Sequence, residues 1–205
     1  MGLNLYTSFA NLAANGNTSS VPTAGEFNSV GAFLGTGVTF GSGTLKAQVS
    51  FDGGTTWLDV PSASFTSGTA NTKRADYTVI GPLMRWNLAG ATTPSLDLRQ
   101  VAREVRRGVQ RTFTFTANGS SVQFPIGTTG LDVGFAAWGT WGSGTLAFQV
   151  SPDGGTTWFN VDTLTADGIK HIAGSNSQEV LARVTLTGAT SPSLTCVVVA
   201  PNGVA

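Results

Sequence analysis

The chain repeats itself. Residues 41–57 read GSGTLKAQVSFDGGTTW, and residues 142–158 read GSGTLAFQVSPDGGTTW. Downstream, LAGATTPSL (88–96) returns as LTGATSPSL (186–194), and Arg85 matches Arg183. Upstream, Ala14-Asn15-Gly16 matches Ala117-Asn118-Gly119. The period is about 100 residues, far longer than the roughly 20–50 of a solenoid or propeller unit, so it marks duplication of a whole domain. The expected boundaries are a first domain over 1–102, a connector over 103–109 and a second domain over 110–205.

Each copy reads as all-β. Leu45, Ala47 and Val49 alternate with polar neighbours, as do Leu146, Phe148 and Val150, which is the period-2 pattern of a half-buried strand. Phe113 and Phe115 alternate with threonines, and Val180, Ala182, Val184 and Leu186 repeat the pattern, matching Met84, Trp86 and Leu88 in the first copy. Leu194 to Val199 is a nearly unbroken apolar run, suiting a strand covered on both faces. Turn signals such as Asn-Gly, Gly-Ser-Gly and Asp-Gly-Gly recur between these runs, and no stretch sustains a helical period. The fold class predicted is therefore two tandem antiparallel β-sandwich domains related by internal duplication, immunoglobulin-like or jelly-roll-like. The apolar N-terminal segment, Leu3 to Leu12, is expected as the first strand of domain one, with an arm reaching onto a neighbour as the alternative.

Composition narrows function. Charged residues make up 11% of the 205, 11 basic against 11 acidic, where a soluble domain carries about a quarter. A balanced charge supplies no field for phosphate, which argues against a nucleic-acid partner. With 40% hydrophobic residues the chain is not disordered. The single Cys196 allows no intrachain disulfide, and one histidine, His171, leaves no cluster for a metal or a general base. No metal or other cofactor is expected. The N-terminal residues lack the basic-then-apolar pattern of a signal peptide, and no run approaches a membrane span, so no membrane partner and a reducing compartment are expected.

One motif resembles catalytic machinery. Ser50, Asp52, Gly54 and Trp57, like Ser151, Asp153, Gly155 and Trp158, fit S-x-D-x-G-x-T-W, similar to the Asp-box of sialidases. Hairpin physics explains it without a substrate. The Asp accepts backbone N–H groups across its own turn, the glycines supply positive φ, and the Trp packs beneath. If both Trp rings are buried, truncating either should cost about 3–5 kcal/mol. A sialidase also needs many blades, an arginine cluster and a Tyr–Glu pair, whereas only Tyr6 and Tyr77 exist here. Catalytic residues are thus expected to be absent. Asp52 and Asp59 read as turn or solvated carboxylates, and the sequons at Asn17 and Asn118 carry little weight.

Two features point to a partner. Arg99, Arg103, Arg106, Arg107 and Arg111 hold five of the eleven basic residues in one stretch. They read as a solvated hinge, as a patch for an acidic subunit, or as a phosphate site. Trp141 aligns with Phe40 in the core, whereas Trp138, three residues away, faces outward and suits a protein contact or a sugar platform.

The combined pattern, Q-V-S-x-D-G-G-T-T-W followed by R-x-x-L-x-G-A-T-x-P-S-L, resembles β-sandwich modules of tailed-bacteriophage virion proteins, over about 55 residues in each copy. The resemblance implies a non-enzymatic structural protein, foremost a capsid decoration or cement protein. Its partners would be other virion proteins, the major capsid protein or tail and neck subunits, engaged in many copies or as a homo-oligomer. It would sit in the virion after assembly in the host bacterial cytoplasm. A neck or tail component and a carbohydrate-binding host-attachment module are the alternatives.

Overall fold

The computed structural model describes residues 5–23, 27–34, 39–66, 74–106, 108–126, 131–174 and 180–201. Its regular elements are all strands, and the chain divides into two compact units, Met1–Arg107 and Gly108–Ala205. Unit 1 contains β1 (Leu5–Leu12), β2 (Gly16–Asn17), β3 (Val21–Pro22), β4 (Phe27–Leu34), β5 (Thr44–Ser50), β6 (Leu58–Thr66), β7 (Arg74–Ile80), β8 (Leu83–Ala89) and β9 (Leu96–Arg106). One sheet runs β1-β9-β4-β7; the other runs β2-β8-β5-β6, with β3 also on β8.

Unit 2 repeats this strand for strand with β10 (Gly108–Phe115), β11 (Gly119–Ser120), β12 (Phe124–Ile126), β13 (Leu131–Thr140), β14 (Thr145–Ser151), β15 (Phe159–Leu164), β16 (Gly168–Gly174), β17 (Val180–Thr187) and β18 (Ser193–Pro201). Its sheets are β10-β18-β13-β16 and β11-β17-β14-β15, with β12 on β17. Pairings in both units are antiparallel. Counting β2 with β3 as one interrupted strand, the orders first-eighth-third-sixth and second-seventh-fourth-fifth are those of a jelly roll. The topology that the sequence left open is thereby resolved.

Burial follows the alternation. Leu45, Ala47 and Val49 are fully buried on β5, and Met84, Trp86 and Leu88 face them from β8. In unit 2 both sheets contribute to one cluster, with Phe135 and Phe148 in contact at a centroid distance of 5.9 Å. β18 lies between β10 and β13, and all of Cys196–Ala200 is buried, so both of its faces are covered. Burial also pushes the Cys196 thiol pKa up, which keeps it an inert core residue.

The N-terminal segment is strand β1, paired with β9 from Leu5↔Arg103 to Leu12↔Leu96. The connector over 103–109 requires correction. β9 continues to Arg106 and β10 begins at Gly108, leaving Arg107 alone between them. Arg103 and Glu104 pair with Ser29 and Asn28, so the stretch satisfies its backbone within the sheet of unit 1. Charge density had disguised a strand end as a linker.

Candidate functional site

The duplicated hairpin is built from its own polar atoms. In unit 1 the Ser50 hydroxyl donates to Asp52 Oδ1 at 2.8 Å and accepts from the Gly54 amide at 2.8 Å. Asp52 Oδ1 also accepts from the Thr56 amide at 2.8 Å, and the Trp57 indole N–H donates to the Gly54 carbonyl at 2.8 Å. Unit 2 reproduces the network through Ser151, Asp153, Gly155 and Trp158, with Asp153 accepting from the amides of both Thr156 and Thr157. Gly54 and Gly155 sit at φ 97° and 96°, where a side chain would be strained.

Electrostatics follow from those donors. Hydrogen bonds from Thr157 and then Ser151 hold the Asp153 carboxyl down at about 2. At Asp52 partial burial pushes upward, but bonds from Thr56, Ser50 and Thr55 outweigh it and keep the group below its ordinary range. Both carboxylates are held in the ionised form by the N–H and O–H groups of their own turn. Each is a turn anchor.

The two hairpin Trp rings are half-buried rather than enclosed. A guanidinium covers each: Arg85 Cζ lies 4.2 Å from the Trp57 centroid and Arg183 Cζ 4.1 Å from that of Trp158. The arginines are oriented in turn by Gln48 and Gln149, whose carbonyl oxygens accept from Nε at 2.9 and 2.7 Å. Motif reading missed this Gln–Arg–Trp stack. Its signal was present, since Gln48 and Gln149 precede the motif by the same two residues and Arg85 matches Arg183.

The proposed partner residues do not form one described site. Arg99 is exposed on β9, and Arg111, half-buried on β10, places Cζ 5.0 Å from the Phe124 centroid. The side chains of Arg103 and Arg106 and all of Arg107 lie outside the described residues. Trp138 is half-buried on β13, on the face opposite the core residue Ala137. Arg99 and Trp138 are both engaged within the chain. Trp141 packs against the core and donates its indole N–H to Asp167 at 2.7 Å. His171 is exposed on β16. Asp59 is no turn residue: it lies on β6 and accepts from Lys46 at 2.7 Å and Gln48 at 2.8 Å.

Two further duplicated devices close the opposite loops. The Asn15 side chain clamps Ala91 from both sides, its amide donating to the carbonyl at 2.9 Å and its oxygen accepting from the N–H at 2.8 Å. Asn118 does the same to Ala189, at 2.9 Å in each direction. The sequon at Asn118 is thus spent on a loop clamp, and Asn17 accepts from the Asn87 amide at 2.8 Å. Gly41 and Gly142, at φ 59° and 53°, lie so close to the backbone of Thr92 and Thr190 that a Cβ would overlap it.

Each unit also has a cleft beside its interrupted strand. In unit 1 Thr18 replaces the missing ladder: its amide donates to the Trp86 carbonyl and its hydroxyl accepts from the Trp86 amide, both at 2.9 Å. Ser121 treats Val184 in the same way. The cleft of unit 1, about 310 Å³, reaches from Asn17, Thr18 and Arg85 inward to Trp86 and Gln100. That of unit 2, about 460 Å³, is lined by residues 112–121, among them Phe113 and Phe115.

No protein-family model matches the chain, and no curated protein sequence does. Among solved structures it is similar to the PBSX exported protein XepA, at 11% identity and a TM-score of 0.33, covering 98% of this chain and 86% of that one. It is similar to the tandem CBM22 domains of Xyn10C from Paenibacillus barcinonensis, at 9% identity and a TM-score of 0.29, covering 98% and 93%. A third similarity, at 12% identity and a TM-score of 0.21, is to the VP2 subviral particle of infectious bursal disease virus, covering 98% and 72%. Likenesses this distant do not decide between roles.

Proposed function

We propose that the chain is a non-enzymatic structural protein of a tailed-bacteriophage virion, a capsid decoration protein that stabilises the head through many copies. The supporting observation is that both copies of the one motif resembling catalytic machinery are consumed internally. Serine, aspartate, tryptophan, arginine and glutamine satisfy one another, and what remains is a duplicated, charge-poor jelly roll. Jelly rolls serve in viral capsids and in lectins; the virion-type motif favours the first. The partner is the major capsid protein, and Arg99, Arg111 and Trp138 are the described residues that would contribute to the contact.

Copy number on purified particles tests this reading. A decoration protein is present in hundreds of copies on tailless heads, whereas a neck or tail ring would give about 6 or 12 copies, only on tailed particles. The second result would overturn it. Saturable binding of a soluble glycan, abolished by Trp138→Ala, would instead support the host-attachment alternative.

A further inference from the structure

We infer that two copies of the chain pair about a two-fold axis through the free edge of β15 in unit 2, with Phe159 and Val161 at the centre of the contact. The inference does not rest on the virion role. It starts from a difference between the duplicated edges. The repeat matches Val49, Phe51, Leu58 and Val60 with Val150, Pro152, Phe159 and Val161. Leu58 and Val60 are 5% and 7% exposed, whereas Phe159 and Val161 are 54% and 37% exposed. Val49 is buried, and Val150 is only half-buried. In unit 1 the Phe51 ring lies beside Val49 at the Gly81 turn; unit 2 has Pro152, exposed, in its place. Phe159 pairs with Val150, which packs against the core, so unit 2 leaves a core-side position uncovered. Contiguous exposed apolar side chains mark an interaction site.

β6 and β15 are both outer strands of their sheets, and only β6 is well guarded. An unpaired edge invites another chain unless charge, proline or a bulge blunts it. β6 has all three. Lys46 and Asp59 pair beside it at 2.7 Å, Pro61 lacks an N–H, and the register jumps from Lys46↔Ser64 to Gln48↔Asp59, with Ser62 at φ 63°. In unit 2 the residues matching Lys46 and Asp59 are the uncharged Ala147 and Asn160. β15 contains no proline, and its register slips by a single residue. Charge then identifies the occupant. Asp162 on β15 and Lys170 on β16 form an ion pair at 3.5 Å, and both stay partly exposed. One charge of each sign is self-complementary: in an antiparallel two-fold arrangement, Lys170 of each copy meets Asp162 of the other. A strongly acidic or strongly basic partner would oppose one of the two. Two apolar side chains are a small part of the roughly 800 Å² per partner in a stable complex, so the pairing is weak and is felt where copies are held close together.

Sedimentation of the full chain over a concentration series tests the pairing. The average mass should rise toward twice that of one chain as concentration approaches about 1 mM. Phe159→Asp, at an exposed position, should weaken association at least tenfold. Val122→Asp, at a valine 77% exposed on the opposite edge of the same sheet, should leave it unchanged. Lys170→Glu and Asp162→Lys should each weaken association, because each sets like charges against one another twice across the axis. Mixing the two variants restores opposite charges at both contacts of the heterodimer, so the mixture should associate at least fivefold more tightly than either variant alone. A wild type still monomeric at about 1 mM, a Phe159→Asp variant that associates like wild type, an equal loss from Val122→Asp, or a mixture no tighter than its parts would each overturn the pairing. None of these results alters the copy number on particles, so the virion reading stands or falls separately.

Discussion

The two jelly rolls solve one packing problem with different residues. In unit 1 Trp86 sits opposite Ala47, and Gln100 opposite Ala32. In unit 2 the same paired positions are Val184 opposite Phe148, and Val198 opposite Phe135. In the first pair the large residue changes strand, from Trp86 to Phe148, at similar total volume. In the second, Gln100 gives way to a valine of similar size while Phe135 stands where unit 1 has Ala32, so bulk is added and polarity removed. Cores tolerate compensated swaps like the first far better than single changes of size. Trp86 and Gln100 bring a hydrogen bond and an imperfectly satisfied amide into unit 1; two phenylalanine rings give unit 2 a wholly apolar centre. Duplication left the strand order untouched and let the interiors diverge.

The sharpest way to break this comparison is to change one member of a pair. Trp86→Val alone removes a buried ring and leaves Gln100 without its donor, and should cost about 4 kcal/mol in denaturant unfolding of the full chain. Adding Ala47→Phe, Ala32→Phe and Gln100→Val transplants the core of unit 2 and should recover at least half of that loss. A quadruple variant no more stable than Trp86→Val would show that the two interiors are not interchangeable. A cost of about 3 kcal/mol is expected for Gly142→Ala, and a smaller one for Gly41→Ala, because both need positive φ but a Cβ at Gly142 would press harder on its facing carbonyl. Thermal unfolding of the two variants compares the loops directly.

Next come the hairpin rings. Sequence alone predicted a larger loss on the premise of full burial, but both rings are half-buried beneath a guanidinium. Trp57→Ala and Trp158→Ala should each cost about 2 kcal/mol. A cost above that range would mean the stack contributes more than its area suggests.

The smallest effect is in acid. Asp153 has its folded pKa lowered from 3.8 to about 2, so its contribution is fully present above the unfolded value and is lost as pH falls through the folded one. Wild type and Asp153→Asn should therefore converge in melting temperature between about pH 4 and pH 2. A gap that stays constant across that window would show that the carboxylate is not the titrating anchor. Asp52 shifts in the same direction against partial burial, so Asp52→Asn should behave alike.

Local patterns were legible because they are local. The alternation at Leu45–Val49, the glycine-rich turn at 52–54 and the duplication all lie within a few residues or repeat in register. Strand order was not, because β1 pairs with β9 across some ninety residues and no local signal encodes that choice. Residues 103–106 misled for a physical reason: charge on a strand end looks like a linker unless the pairing of Arg103 and Glu104 with Ser29 and Asn28 is seen. Gln100 escaped notice because a lone polar residue in an alternating strand reads as outward-facing. The Trp86 and Met84 side chains, reaching it from the other sheet, show why it faces inward. Gln48 and Gln149 stand in the repeated pattern, yet their bonds to Arg85 and Arg183 went unread because those arginines lie more than thirty residues downstream.

The asparagine clamps set how the molecule ages. Asn15 and Asn118 each precede a glycine, the pairing in which the next backbone nitrogen most readily attacks the side-chain amide and releases ammonia. In the folded chain both ends of that amide are held by a loop more than seventy residues away. A carboxylate formed there would put an acceptor against the carbonyl of Ala91 or Ala189, so the first chemical lesion would also unlatch the loop. Folding therefore works as a preservative for these two side chains, and each interval spent unfolded draws down the lifetime of the protein.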